Sequence, residues 1–348
     1  MRVEDLDQIE FEITSLCNAG CPGCPRTQLG PGVGFELNTI TLADLQSWMP
    51  TNLERFDRFK FSGNLGDPIV NPEFYDIVEW LGRTYLKRIN IHTNGGVRTP
   101  EWWSKLGAFS KEGWDIFGDK WRVRVNWAID GLEDTNHIYR VGVRWDHVWA
   151  NLNAYLSAGG RAEWHFIAFE HNEHQIDQAR ALAEELGMGF RVRFAARNER
   201  STWVNKQGIQ IPSGKVTEHP HKKDIAKGEA VFKKARAEGN NELMRDFTKT
   251  MTCMHLEERR VFVAADQTLW PCCMLYDESL KTTKWAEQYR AMLPEKGWND
   301  LRLHSMQDIL DSEFYQTVSQ RWNLDNPLFT PRCVRSCGAG GKFLTQMK

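Results

Sequence analysis

Glu12-Ile-Thr-Ser-Leu-Cys17-Asn-Ala-Gly-Cys21-Pro-Gly-Cys24-Pro-Arg26 places three cysteines in one short loop directly after an apolar run. Spacings of three and two residues let such a loop aim three thiolates at a common centre, and soft thiolates favour iron–sulfur clusters or zinc. A cubane has four irons, so three cysteines leave one iron without a protein ligand and open to a small molecule. A structural zinc site is the competing reading. It is four-coordinate and closed, and no His or fourth Cys lies nearby in sequence. Asp67 or His92 would have to be brought in by the fold.

Outward from this loop, short β-rich runs alternate with helical patterns up to about residue 196. The strands are expected at Gln8–Leu16, Arg58–Ser62, Arg88–Thr93, Arg122–Ile129, Ala162–Phe169 and Phe190–Ala195. Helices are expected near 42–49, 72–82, 99–109, 145–158 and 173–187, with Gly159-Gly160 and Gly187 as stops. This alternation predicts an α/β unit of parallel strands joined by right-handed crossovers. Six strands are too few for a closed eight-stranded barrel, so the expectation is an open, partial (β/α)6 TIM-like barrel. Residues 1–196 form this barrel in the sequence reading, and 197–250 form a polar, lysine-rich connector. Its ordinary reading is a solvated helix, and the alternative is a basic patch for an acidic partner. Residues 251–348 form a small α+β module. There, Arg260–Ala264 and Thr268–Trp270 read as a hairpin and Met306–Trp322 as a helix.

The 348-residue chain is 41% apolar, enough for a core without disulfides. A net charge of −2 gives no field that would gather nucleic acid or an anionic membrane. The acidic start, MRVEDLDQIEF, is no signal peptide, and no stretch approaches a membrane span. A cytoplasmic protein with reduced thiols is expected, and its eight cysteines then read as metal ligands. They fall into two groups at opposite ends of the chain. The 15 tryptophans read as core and rim packing rather than as a cofactor site.

The Cys-x3-Cys-x2-Cys loop after strand one resembles the hallmark of the radical S-adenosylmethionine (SAM) superfamily, and the wider string resembles members with a C-terminal SPASM or twitch domain. The resemblance implies a [4Fe–4S] cluster on Cys17, Cys21 and Cys24 whose open iron chelates SAM. Reductive cleavage of SAM would give a 5′-deoxyadenosyl radical that takes a hydrogen from the substrate. Ser62-Gly63-Asn64-Leu65-Gly66-Asp67-Pro68 is similar to the family's glycine-rich segment, with Asp67 where Glu is usual. Gly66 and Asp67 would then face the methionine ammonium of SAM. Asn94 and Asn126, near the ends of strands three and four, would bond its ribose or carboxylate, and Arg140 resembles a family arginine that meets the carboxylate. Gly23 stands where the family commonly has a large residue against the adenine, which leaves Trp127 and Phe169 for that contact. Asp130 reads equally as a turn cap or a ligand, and His165 reads as a core histidine. Glu12 and Thr14 share one face of strand one.

Cys253, Cys272, Cys273, Cys333 and Cys337 follow the order of the SPASM/twitch module: cysteine, hairpin, cysteine, helix, cysteine pair. Five suffice for one auxiliary [4Fe–4S] cluster, with Cys253, Cys272, Cys333 and Cys337 as ligands. Cys273 is the spare, because neighbours on a strand point to opposite faces. The turn Asp266-Gln267 lacks the usual glycine, which leaves the register of Cys272 against Cys273 open. Zinc competes more strongly here, since four cysteines close a structural site.

The resemblance implies an oxidoreductase or maturase supplied with electrons by a donor such as flavodoxin or ferredoxin. The substrate reading leans towards a peptide or peptidyl residue. A small-molecule dehydrogenase acting on an aminocyclitol or sugar is nearly as good, because the chain begins at strand one without an appended leader-peptide domain. A non-catalytic zinc scaffold is the alternative from another class.

Overall fold

The computed structural model describes residues 1–32, 34–51, 53, 55–118, 122–194, 202–204, 210–212, 222–240, 242–243, 253–319, 328, 333 and 337. The chain forms two compact units. One contains residues 10–46 and 57–219, and the other residues 1–9, 47–56 and 220–348.

The larger unit is built on β1 (Gln8–Phe11, of which Glu10 and Phe11 belong to it), β2 (Arg58–Phe61), β3 (Arg88–Thr93), β4 (Val123–Ala128), β5 (Arg161–Ala168) and β6 (Gly189–Phe194), hydrogen-bonded in that order. The pairs from β2 to β6 are parallel, with Phe59 opposite Ile89, Ile91 opposite Val125, Trp127 opposite Trp164 and Phe166 opposite Val192. The order does not return from β6 to β1, so the sheet is open, as expected of a partial barrel. Most strand bounds fall within a residue or two of the sequence reading. The exception is β1, which stops at Phe11: Thr14 forms only an isolated bridge to Thr39, and the chain turns into the cysteine loop.

Period-two alternation sorts the sheet into two faces. Phe59, Phe61, Ile89, Ile91, Val123, Val125, Trp127, Trp164 and Phe166 are buried on one of them. Helices Pro100–Phe117 and Trp145–Ser157 pack on this face. Trp127 lies in the aromatic core, 4.5 Å from Trp103 and 6.1 Å from Tyr155 between ring centroids. It therefore does not make the adenine contact the sequence suggested; its place in the alternation points it at the helices. The opposite face is polar and carries Glu10, Lys60, His92, Asn126, Glu163 and His165. Helix Pro100–Phe117 runs well past the expected end at 109. Pro100 starts it, the Thr99 hydroxyl accepts from the Trp102 amide, and Gly118 stops it at φ +59°.

In the smaller unit, β9 (Arg260–Val263) and β10 (Leu269–Trp270) pair antiparallel as the expected hairpin. The turn works without glycine because Gln267 adopts φ +66° and its side-chain oxygen accepts from the Trp48 indole at 3.2 Å. Arg259 grips Asp7 through both carboxylate oxygens at 2.7 Å. The expected helix from Met306 breaks into Met306–Leu310 and Glu313–Ser319, the first opened by a Ser305–Asp308 capping box; residues 320–322 lie outside the described ones. Of the lysine-rich stretch, Lys222–Glu238 is helical, and Thr202–Val204 pairs with Gln210–Pro212 as β7 and β8.

Candidate cluster and cofactor site

Glu12 and Gly66 shape the loop that carries the first cysteines. The Glu12 carboxylate accepts from the Gly66 amide at 3.2 Å and from the Leu65 amide, drawing the segment after β2 against the end of β1. A Cβ on Gly66 would fall 1.9 Å from the Thr14 carbonyl oxygen, so only glycine fits there. Arg26 donates to the carbonyls of Ser15 and Leu65 and ties the loop's exit to the same two segments.

Cys21 is buried, and Cys17 and Cys24 are half-buried. The Ala19 amide points at the Cys17 sulfur at 3.4 Å, and the Cys24 thiol donates to the Asn64 carbonyl at 3.6 Å. Burial pushes the Cys17 thiol up to about 12, with Asp67 and the other two cysteines adding to the effect. Burial likewise pushes Cys21 up to about 11 against the pull of Arg140. A cationic partner such as a bound metal centre would favour their ionised form.

Around them stand four of the five expected cofactor residues. Asn94 reaches the Cys17 sulfur at 4.0 Å, exchanges hydrogen bonds with Asn18 at 2.9 and 3.2 Å, and donates to Asp67 at 2.7 Å. Asp67 also accepts from the Thr93 hydroxyl, the Asn94 amide and the Ile69 amide. Its carboxylate is thus engaged in joining the ends of β2 and β3. Arg140 donates to Cys21 at 3.7 Å and pairs with the fully buried Asp130 at 2.7 Å. Burial opposes the Arg140 charge, but Asp130 and Cys21 outweigh it and hold the guanidinium charged. Asp130 also accepts from the Ile167 amide, so it is a positioning group for Arg140 as well as a loop anchor.

Asn126 stands apart. Its amide meets His92 Nε2 at 3.2 Å, and the His92 and His165 rings lie 5.4 Å apart. His165 pairs with Glu163 at 3.3 Å, and Glu163 with Arg191 at 2.7 Å and Arg124 at 3.5 Å. Burial depresses both imidazoles below their usual value; at His92 the cations Lys60, Arg193 and Arg124 add to this. Sequence reading missed this polar wall, although the alternation of polar with apolar residues along β3, β4 and β5 was its signal. Asp67 is engaged with Thr93 and Asn94, and His92 with Asn126. Phe169 lies against Tyr139, ring centroids 4.6 Å apart, beside the Arg140 turn.

In the smaller unit Cys272, in extended backbone, caps helix Cys273–Leu280. Burial pushes its thiol up to about 12, helped by the neighbouring thiols of Cys333 and Cys253. Cys253, Cys272 and Cys333 are thus near enough to influence one another electrostatically. Cys273 is the first residue of that helix and not a strand residue, so strand alternation does not decide between the two. Cys337 is half-buried. Among the described residues no three His, Cys, Asp or Glu converge tightly enough to hold a single metal ion. Soft sulfur donors in both groups fit the larger iron–sulfur cubane. None of the eight cysteines forms a disulfide, and no helix among the described residues is long and apolar enough to cross a membrane.

No protein-family model matches the chain. The chain is 26% identical over 186 residues to the mycofactocin maturase MftC of Mycobacterium ulcerans, a match covering 53% of this chain and 46% of that protein. It thus spans about half the length of the curated relative. Its fold is similar to that of anSMEcpe with bound AdoMet and the Cp18Cys peptide, at TM-score 0.52 and 11% identity over 96% of this chain and 88% of that one. It is likewise similar to Streptococcus suis SuiB bound to the precursor peptide SuiA, at TM-score 0.52 and 11% identity over 95% and 76%. The open parallel sheet is thus a fold similar to that of these AdoMet-binding and peptide-binding structures, and it carries the cysteine loop at the end of its first strand.

Proposed function

We propose that the chain reductively cleaves SAM at a [4Fe–4S] cluster held by Cys17, Cys21 and Cys24 and uses the resulting radical to take a hydrogen from a peptide or peptidyl residue. The observation that carries this reading is the convergence of Cys17, Cys21, Asn94 and Arg140 at the ends of β3 and β4, where parallel sheets bind their ligands. When bound, the cluster supplies the electron and the open iron. The protein's own part is to place the other end of SAM: Arg140, fixed by Asp130, offers a buried cation to a carboxylate, and the Asn94–Asn18 pair offers amide donors and acceptors. The polar wall of His92, Asn126 and His165 faces away from the helices and is the candidate surface for substrate. A second cluster on Cys253, Cys272, Cys333 and Cys337 would accept an electron or hold the substrate.

The peptide reading draws on MftC being named a maturase and on peptides in the anSMEcpe and SuiB complexes. A flavodoxin or ferredoxin as electron donor and a cytoplasmic location belong to the same proposal. The test is anaerobic reconstitution with iron and sulfide, then reduction with dithionite in the presence of SAM. The expected products are 5′-deoxyadenosine and methionine, reduced at least a hundredfold by Cys17→Ala, Cys21→Ala or Cys24→Ala. Equal turnover by those variants would reject the assignment.

A further inference from the structure

Tyr289 and Tyr315 are completely buried, and neither hydroxyl has a hydrogen-bond partner. A buried hydroxyl left unpaired costs roughly 1–3 kcal/mol, and native proteins keep few of them. Two in one place point to an acceptor that the described residues do not supply. Tyr289 lies on helix Lys284–Ala291, which packs on helix Cys273–Leu280, the helix that Cys272 caps. Its hydroxyl is within electrostatic reach of the Cys272 and Cys333 sulfurs. The Tyr315 hydroxyl reaches Cys272 and Tyr289. The Tyr315 ring meets His255, two residues from Cys253, edge-on at 5.7 Å. Among the described residues the Tyr315 ring also meets Trp298 and Phe314, neither of which offers its hydroxyl an acceptor. The Cys272 sulfur is the group whose electrostatic influence both hydroxyls share, although neither hydroxyl is within hydrogen-bond distance of a cysteine sulfur.

We propose that Tyr289 and Tyr315 donate hydrogen bonds to the sulfur atoms of the auxiliary iron–sulfur cluster and hold its reduction potential up. The inference rests on the reading that Cys253, Cys272, Cys333 and Cys337 carry that cluster. Both tyrosines are positioning residues: donors to cluster sulfur favour the more negative, reduced state, so hydrogen bonding raises the potential. The cluster would then be the easier to reduce by an electron from a substrate radical.

The experiment uses the full-length chain with Cys17, Cys21 and Cys24 all changed to Ala, so that only the auxiliary cluster remains. Its midpoint potential is followed by an EPR-monitored redox titration, and its Fe–S vibrations by resonance Raman in H2O and D2O. Tyr289→Phe and Tyr315→Phe should each move the midpoint to a more negative value, further in the double variant, and the D2O-sensitive shift should vanish. In the iron-free chain the same variants should unfold at the parental denaturant midpoint or above it, since only an unpaired hydroxyl is lost. Unchanged potential and unchanged isotope shift with the cluster bound would overturn the proposal. So would equal destabilisation of iron-free and loaded chains. Absence of iron–sulfide from the triple-Ala chain would instead overturn the cluster reading itself, and the proposal with it.

Discussion

Arg140 and Asp130 are the residue-scale test of how this site is held. Their pair is buried and shares one wall with Cys21. Breaking a buried pair strands a charge, at a cost of about 3–5 kcal/mol, whereas removing both partners costs much less. Arg140→Met should therefore lower stability by about that amount in urea titrations. The double variant with Asp130→Asn should recover a large part of it, as a double-mutant cycle would reveal. Histidines 92 and 165 add a pH dependence. Both prefer the neutral form in the folded protein because of burial, and at His92 also because of neighbouring cations. As pH falls below about 6.5 the unfolded chain takes up these protons first, so stability is complete at neutral pH and declines on acidification. The urea midpoint should fall between pH 7.5 and 5, and His92→Gln should flatten that fall. The closeness of Asn94 to Cys17 and of Arg140 to Cys21 follows from the strand ends that carry them, as the resemblance to the radical SAM loop and strand-end motifs implied. The partners that immobilise Arg140 and Asp67 were less legible in the sequence: Asp130 was an even choice between cap and ligand, and Thr93 gave no signal.

At the scale of elements, local chemistry explains both the agreement and the misses. Strands β2 to β6 are bounded by turns and alternate cleanly, so their positions followed from pattern alone. Helix Pro100–Phe117 outran its expected end near 109 because its packing against helix Trp145–Ser157 carries it through to Gly118. The helix from Met306 broke at Asp311–Ser312, where a polar pair interrupts the apolar period. The loop segments are less tolerant than the helices they join. Gly66→Ala drives a Cβ into the Thr14 carbonyl and should abolish soluble folded protein or cost several kcal/mol. Gly187→Ala, at φ +68° but facing open space, should cost only about 1 kcal/mol. Circular dichroism melts of the two variants make the comparison.

For the whole molecule, the two ends of the sequence carry the two cysteine groups, and the fold assigns them to different units. Strand–helix alternation made the open parallel sheet readable before any coordinates. The smaller unit was readable in its hairpin and cysteine order only; that residues 1–9 and 47–56 join it depends on contacts such as Trp48–Gln267 and Asp7–Arg259, which no periodicity announces. The two proposed cluster sites make a prediction about metal content that activity cannot confuse. Iron and acid-labile sulfide should be counted in anaerobically reconstituted protein. The account predicts about eight of each in the parent chain, about four after Cys17, Cys21 and Cys24 are changed to Ala, and about four after Cys253, Cys272, Cys333 and Cys337 are changed, with SAM altering the EPR signal of the parent and of the last but not of the variant without the N-terminal cysteines. Full iron retained without the N-terminal cysteines, or stoichiometric zinc in place of iron, would contradict it.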